Sequence, residues 1–175
     1  MRISLVLTAI GDDKPGLVEQ LSDEILDAGA NWEESRMARL AGKFAGILRL
    51  TIEQSQAERL TTALAALGGS GLKVIVEPSA QRDEAPSPKT LDVELVGHDR
   101  PGVIRDISRV LTHRGVNIEE LETEVTSAPM TGDGLFRAHA RLRMPPTLTV
   151  AELRSVLESL AADLMVDLSI DFDDK

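Results

Sequence analysis

The sequence predicts an α+β chain in which one βαββαβ unit is written twice, each copy an antiparallel sheet with its helices on one face. Three observations carry this expectation: an internal match at an offset of 86 residues, a proline-rich interval between the copies, and alternating strand-like and helix-like apolar patterns in a repeated order. Residues 11–34 lie over 97–120 with nine identities: Gly11, Asp13, Pro15, Gly16, Ser22, Gly29, Asn31, Glu33 and Glu34 meet Gly97, Asp99, Pro101, Gly102, Ser108, Gly115, Asn117, Glu119 and Glu120. The interval Pro78 to Lys89 holds three Pro and no apolar side chain larger than Ala, so it cannot bury enough surface to offset its ordering entropy. The expected organisation is a first domain over 1–78, a linker over 79–90 and a second domain over 91–175.

Ile3 to Ile10 is an apolar, β-branched run ending at Gly11-Asp12-Asp13, the pattern of a buried strand and its turn. Pro15 then opens a helical stripe, Leu17, Val18, Leu21 and Ile25, closed by Gly29. Asn31 to Leu40 and Phe44 to Glu53 read as a hairpin about Ala41-Gly42-Lys43. Leu60, Leu64 and Leu67 mark a second helix stopping at Gly68-Gly69, and Leu72 to Glu77 is a last strand. The second copy repeats the order with Leu91 to Val96, a helix carrying Val103, Ile104, Ile107 and Leu111, and a strand from Asn117 to Thr126. A longer turn at 128–134 follows, then a strand from Leu135 to Met144, a helix with Leu153, Leu157, Leu160 and Leu164, and a strand from Val166 to Phe172. This order is the split βαβ, ferredoxin-like plan, whose right-handed crossovers put both helices on one sheet face. The other face stays uncovered, carrying either Ile3, Leu5 and Leu7 or Val6, Thr8 and Ile10. Uncovered apolar faces and free edges invite partners, so the two halves, or two chains as a homodimer, are expected to pair.

Composition removes several functions. With 42% hydrophobic and 27% charged residues, the 175-residue chain can bury a core and stay in solution. Having no Cys, it has no disulfides and no thiolate metal site. Nineteen Lys and Arg against 29 Asp and Glu give a net charge of −10, spread as −3 over 1–78 and −7 over 91–175. That field repels phosphate backbones, and three Phe, one Trp and no Tyr leave few stacking platforms, so direct nucleic-acid binding is not expected. The first residues lack a signal-peptide pattern and no run of about eighteen apolar residues exists, which points to a cytoplasmic location and no membrane contact.

The repeated turn Asp-Lys/Arg-Pro-Gly joins first strand to first helix. It offers Pro near the first helical position, Gly for a close backbone approach, and unpaired N–H groups that favour a carboxylate. Asp13 and Asp99 can cap the helix or accept from an ammonium group. Asn31 stands 18 residues after Asp13, and Asn117 the same distance after Asp99. An amide there supplies the donor and acceptor that a zwitterion requires. It can equally end a helix. A helix separates turn from Asn within one copy, so a shared site would join the turn of one copy to the Asn of a neighbour.

Asp-Arg-Pro-Gly at 99–102, the apolar helix after it and Gly-Val-Asn-Ile at 115–118 resemble an ACT domain, a regulatory module that commonly binds amino acids. Thr8 to Val18, followed by Asn31 to Ala38 and Gly42 to Phe44, resembles the glycine cleavage system transcriptional repressor family, whose members are tandem ACT pairs acting on a separate DNA-binding activator. The resemblance implies two tandem ACT domains over nearly the whole chain. It implies a glycine- or serine-type effector and a DNA-binding regulatory protein as partner. The implied site residues are Asp13, Lys14, Pro15, Gly16 and Leu17 with Asn31, and Asp99, Arg100, Pro101, Gly102 and Val103 with Asn117.

Enzymatic patterns are weak. His98, His113 and His139 are scattered, Ser35 and Ser108 lack a G-x-S-x-G frame, and neither a cofactor nor a metal is expected. Adjacent Glu33 and Glu34, like Glu119 and Glu120, are expected on opposite sheet faces, unsuited to sharing a proton. The alternatives are a ligand-independent interaction module and an acylphosphatase-like hydrolase, the latter opposed by Asp12-Asp13 where a phosphate cradle would stand. Trp32 is expected at an inter-domain surface, and Met37, Met130, Met144 and Met165 in cores or turns.

Overall fold

The computed structural model describes residues 1–79, 89–127 and 134–172. They form two compact units, Met1–Asp83 and Glu84–Lys175, each with its own core. Most of the expected linker, the long turn up to 133, Met130, Asp173 and Asp174 lie outside the described residues.

The first unit runs β1 (Arg2–Asp12), α1 (Leu17–Asp27), β2 (Asn31–Leu40), β3 (Lys43–Glu53), α2 (Ala57–Ala66) and β4 (Leu72–Pro78). The second repeats it as β5 (Thr90–His98), α3 (Val103–His113), β6 (Asn117–Ser127), β7 (Gly134–Arg143), α4 (Val150–Leu164) and β8 (Val166–Phe172). The sheets have the order β2-β3-β1-β4 and β6-β7-β5-β8, antiparallel throughout. Both units are therefore ferredoxin-like, with β1 and β5 central.

Period-two strands explain the cores. Leu5, Leu7 and Ala9 of β1 point to the same side as Leu48, Leu50 and Ile52 of β3, and Leu17, Leu21, Ile25, Leu60 and Leu64 of the helices close over them. Leu91, Val93 and Leu95 do the same beneath Val103, Ile107, Leu111, Leu153 and Leu157. Trp32 is half-buried against the core of its own unit, opening β2 on the helix side opposite Leu50. Met37 packs there too and Met144 is buried, but Met165 is exposed, holding a left-handed helix end at φ 53°.

Glycine roles differ from the sequence reading. Gly16 and Gly102 cap α1 and α3 with φ of 89° and 95°, so what demands glycine is left-handed backbone rather than close approach. Pro15 and Pro101 precede these caps and stand outside the helices. Close approach occurs instead at Gly11 and Gly97: an added Cβ would stand 2.6 Å from the Gly71 carbonyl oxygen and 2.4 Å from Val166 Cγ1.

A bulge recurs at one place in both units, between Trp32 and Glu34 and between Ile118 and Glu120. The extra residue breaks strict alternation, so Glu33 and Glu34 reach partners on one face, Thr51 and Arg49, where opposite faces were expected. Glu119 and Glu120 likewise meet Arg143 and Arg141. Each carboxylate has its own donor, and neither pair is a shared-proton dyad.

Candidate functional site

The turn after the first strand is fastened the same way in both units. Asp13 N donates to the Gly42 carbonyl and Asp99 N to the Gly134 carbonyl, each at 2.9 Å, tying the turn to the end of the adjoining hairpin. The first intrahelical bonds are Gln20 N to Gly16 O and Asp106 N to Gly102 O, both 3.0 Å. The N–H groups of Leu17 to Glu19, and of Val103 to Arg105, precede any intrahelical acceptor and form the positive end of each helix. Neither Asp13 nor Asp99 caps its helix.

Asn31 and Asn117 are far from these turns within a unit. Asn117 pairs with Arg143, which pairs with Thr90 at the start of β5, whereas the Asp99 turn leaves from His98 at its end. Eight residues of strand separate the two levels, about 26 Å at roughly 3.3 Å per residue. Asn31 is similarly level with Ser4 through Thr51, and the first turn leaves from Asp12. The structure thus keeps turn and Asn of one unit apart, at opposite ends of one sheet.

The two turns differ in what their side chains already hold. In the first unit Arg39 Nε lies 2.5 Å from Asp13 Oδ2, Lys43 bonds Asp12, and Lys14 Nζ donates to the Ser70 carbonyl at 2.6 Å. Hydrogen bonding from Lys43, then its charge, holds the Asp12 carboxyl below the usual range. Asn31 Nδ2 donates to Glu33 Oε1 at 2.7 Å, and Thr51 Oγ1 donates to the same oxygen at 2.8 Å; these two bonds lower the Glu33 pKa. In the second unit, among the described residues, the Asp99 carboxylate, the His98 ring and the Asn117 amide have no side-chain hydrogen bond or ion pair. Arg100 is a distant 4.0 Å from Asp106. The difference follows from a few substitutions: the place of Arg39 is taken by Val125, and that of Asp12 by His98. Pro15 and Pro101 are exposed, Gly16 and Gly102 half-buried, and Leu17 and Val103 buried as the first core residues of their helices.

Sequence reasoning missed Arg39, Lys43 and Ser70, which reach the first turn across 26 to 56 residues of chain, and no local pattern marks such partners. Among the described residues there is no group of three or more His, Asp or Glu able to hold a metal ion, and no helix long and apolar enough to cross a membrane.

The model of the ACT domain matches residues 4–73 and again 92–158. The chain belongs to the ACT-domain family, as two domains in tandem. It is 24% identical over 95% of its length, and over 88% of the relative's, to the glycine cleavage system transcriptional repressor of Escherichia coli (strain K12). A solved structure of an unknown protein from Galdieria sulphuraria covers 98% of this chain, with 99% of its own covered, at 28% identity and a TM-score of 0.87. Phosphoserine phosphatase SerB2 of Mycobacterium tuberculosis (strain ATCC 25618 / H37Rv) is 27% identical over 97% of this chain, which spans 41% of that protein.

Proposed function

We propose that this ACT-domain protein is a non-catalytic regulator that senses a small amino acid of the glycine or serine type, using the second unit's turn, Asp99 to Val103, and Asn117. Among the described residues Asp99 and Asn117 are unengaged while Asp13 and Asn31 are engaged, and this contrast carries the reading. Asp99 would accept from the ammonium group, and the N–H groups at the start of α3, with Arg100 beside them, would receive the carboxylate. A ligand using both elements takes its turn from one ACT unit and its Asn from another, because one unit holds them about 26 Å apart. Binding then favours one association of units over another. That shift in population is the signal a partner protein would read, and its size is limited by the ligand's differential affinity.

The likeness to a transcriptional repressor, together with a net charge of −10, supports a protein partner that itself contacts DNA, such as an activator of glycine cleavage genes. The phosphatase likeness does not carry that enzyme's activity here, since this chain spans less than half of it.

Titration calorimetry of glycine, serine and the other common amino acids into the intact chain tests the proposal. Heat of binding that persists in Asp13→Asn and disappears in Asp99→Asn supports it; flat traces for every amino acid reject it.

A further inference from the structure

The sheet faces turned away from the helices have diverged between the two units. In the first, Val6, Thr8 and Ile10 of β1 stand beside Ala45 and Ile47 of β3 and Ile75 of β4, with Ile47, Thr8 and Ile75 in one cross-strand row. Ile10, Ile47 and Ile75 are 47%, 51% and 64% exposed. At the same register positions the second unit has Asp92, Glu94, Val96, Arg137, His139 and Ser169. There Arg141 donates to both Asp92 oxygens, at 3.1 and 3.2 Å, while Arg137 lies 3.6 Å from Glu94 and 3.3 Å from Glu124. One chain therefore shows that this fold accepts a charge-laced open face. The apolar patch on the first unit is not a requirement of folding, and a patch of this kind marks a surface that is covered.

We propose that the open face of the first unit is where two copies of the chain meet, sheet against sheet. Four strands about 4.8 Å apart, over nine residues at about 3.3 Å each, give roughly 500 Å² per copy and about 1,000 Å² together, the lower bound for a specific interface. Charge around the patch is mixed rather than one-signed: Lys43, Arg49 and Lys73 stand among Asp12, Glu34 and Glu77. The pattern is also self-complementary. A two-fold axis along the Ile47–Thr8–Ile75 row lays each isoleucine on its twin, Val6 on Ile10 and Lys73 on Glu77, as an isologous interface requires. Arg36 closes that row on the edge strand, where its long, exposed side chain reaches solvent past the end of the sheet.

Sedimentation of the full chain across the micromolar range tests this without any amino acid present, so its outcome is separate from that of ligand sensing. The chain is expected at twice its 18.9 kDa mass. Ile47→Lys/Ile75→Lys, at positions already exposed in the folded unit, should run as a single chain with unchanged circular dichroism, and Ser169→Lys in the second unit should remain paired. Lys73→Glu should weaken pairing at least tenfold, and adding Glu77→Lys should restore it. A wild-type chain that sediments singly would overturn the proposal. So would an Ile47→Lys/Ile75→Lys variant that pairs as tightly as wild type, or a Lys73→Glu/Glu77→Lys double variant that fails to recover.

Discussion

Arg39 closes on Asp13 across the end of the first sheet, Nε to Oδ2 at 2.5 Å, and Val125 stands where the second unit would need such an arginine to close on Asp99. Two copies of one turn thus share a backbone and differ in whether the carboxylate is already spoken for. Replacing Arg39 by Val should free Asp13 and give the first turn the same opportunity as the second. Calorimetry should then show added amino-acid binding, with little change in thermal stability, because so exposed an ion pair contributes about 0–1 kcal/mol.

Gly16 and Gly102 are needed for their left-handed backbone. Alanine at either position meets no hard contact, its nearest neighbours being side-chain ends at 3.9 and 3.4 Å, so the cost is conformational, about 1–2 kcal/mol. Urea unfolding of Gly16→Ala and Gly102→Ala should show a loss of that size in each, and an unchanged midpoint would contradict the assignment.

Gly11 and Gly97 should respond for a different reason. Alanine at Gly11 would press on the Gly71 backbone, and alanine at Gly97 on Val166, whose Cα lies 3.0 Å from the new atom. Overpacking of this kind costs about 1–3 kcal/mol. Gly97→Ala should be partly relieved by Val166→Ala, measured as a coupling in a double-mutant cycle. No such relief is available to Gly11→Ala.

The order of elements was legible in the sequence because period two and period 3.6 alternate cleanly and the repeat confirmed each assignment with a second copy. The turns and asparagines stood out for the same reason. Their separation along the sheet required only topology, but the clasp on Asp13 did not follow from any local pattern, since Arg39, Lys43 and Ser70 arrive from other elements. The bulges at Glu33 and Glu119 were equally hidden: one inserted residue moves a side chain to the other face without altering the apolar pattern. Glycine gave the opposite lesson. Gly16 was noted for closeness and Gly11 only as a turn marker, whereas positive φ and close approach are the reverse of that assignment.

Acid should weaken the start of α4. Thr149 Oγ1 accepts from Glu152 N at 3.3 Å while Glu152 Oε2 accepts from Thr149 N at 2.8 Å and from its hydroxyl at 2.6 Å. The hydroxyl bond, then the backbone bond, holds the Glu152 pKa below its usual value of 4.5. A carboxyl with a depressed folded pKa stabilises above its unfolded pKa, and that contribution is lost as pH falls through the folded value. Wild type should therefore exceed Glu152→Gln in stability at neutral pH, the gap closing as pH falls through the lowered folded pKa. Thr149→Ala should cost about 1 kcal/mol at neutral pH. A gap that is independent of pH would exclude the carboxylate's role.

The claim that the second unit's turn receives an amino acid is tested most directly by amide chemical shifts of the isotope-labelled full chain as glycine or serine is added. The account predicts that Gly102 and Val103 move in a saturable way and that Gly16 and Leu17 hold still until Arg39 is replaced. Shifts confined to the first turn, or none in either turn for any amino acid, would contradict it.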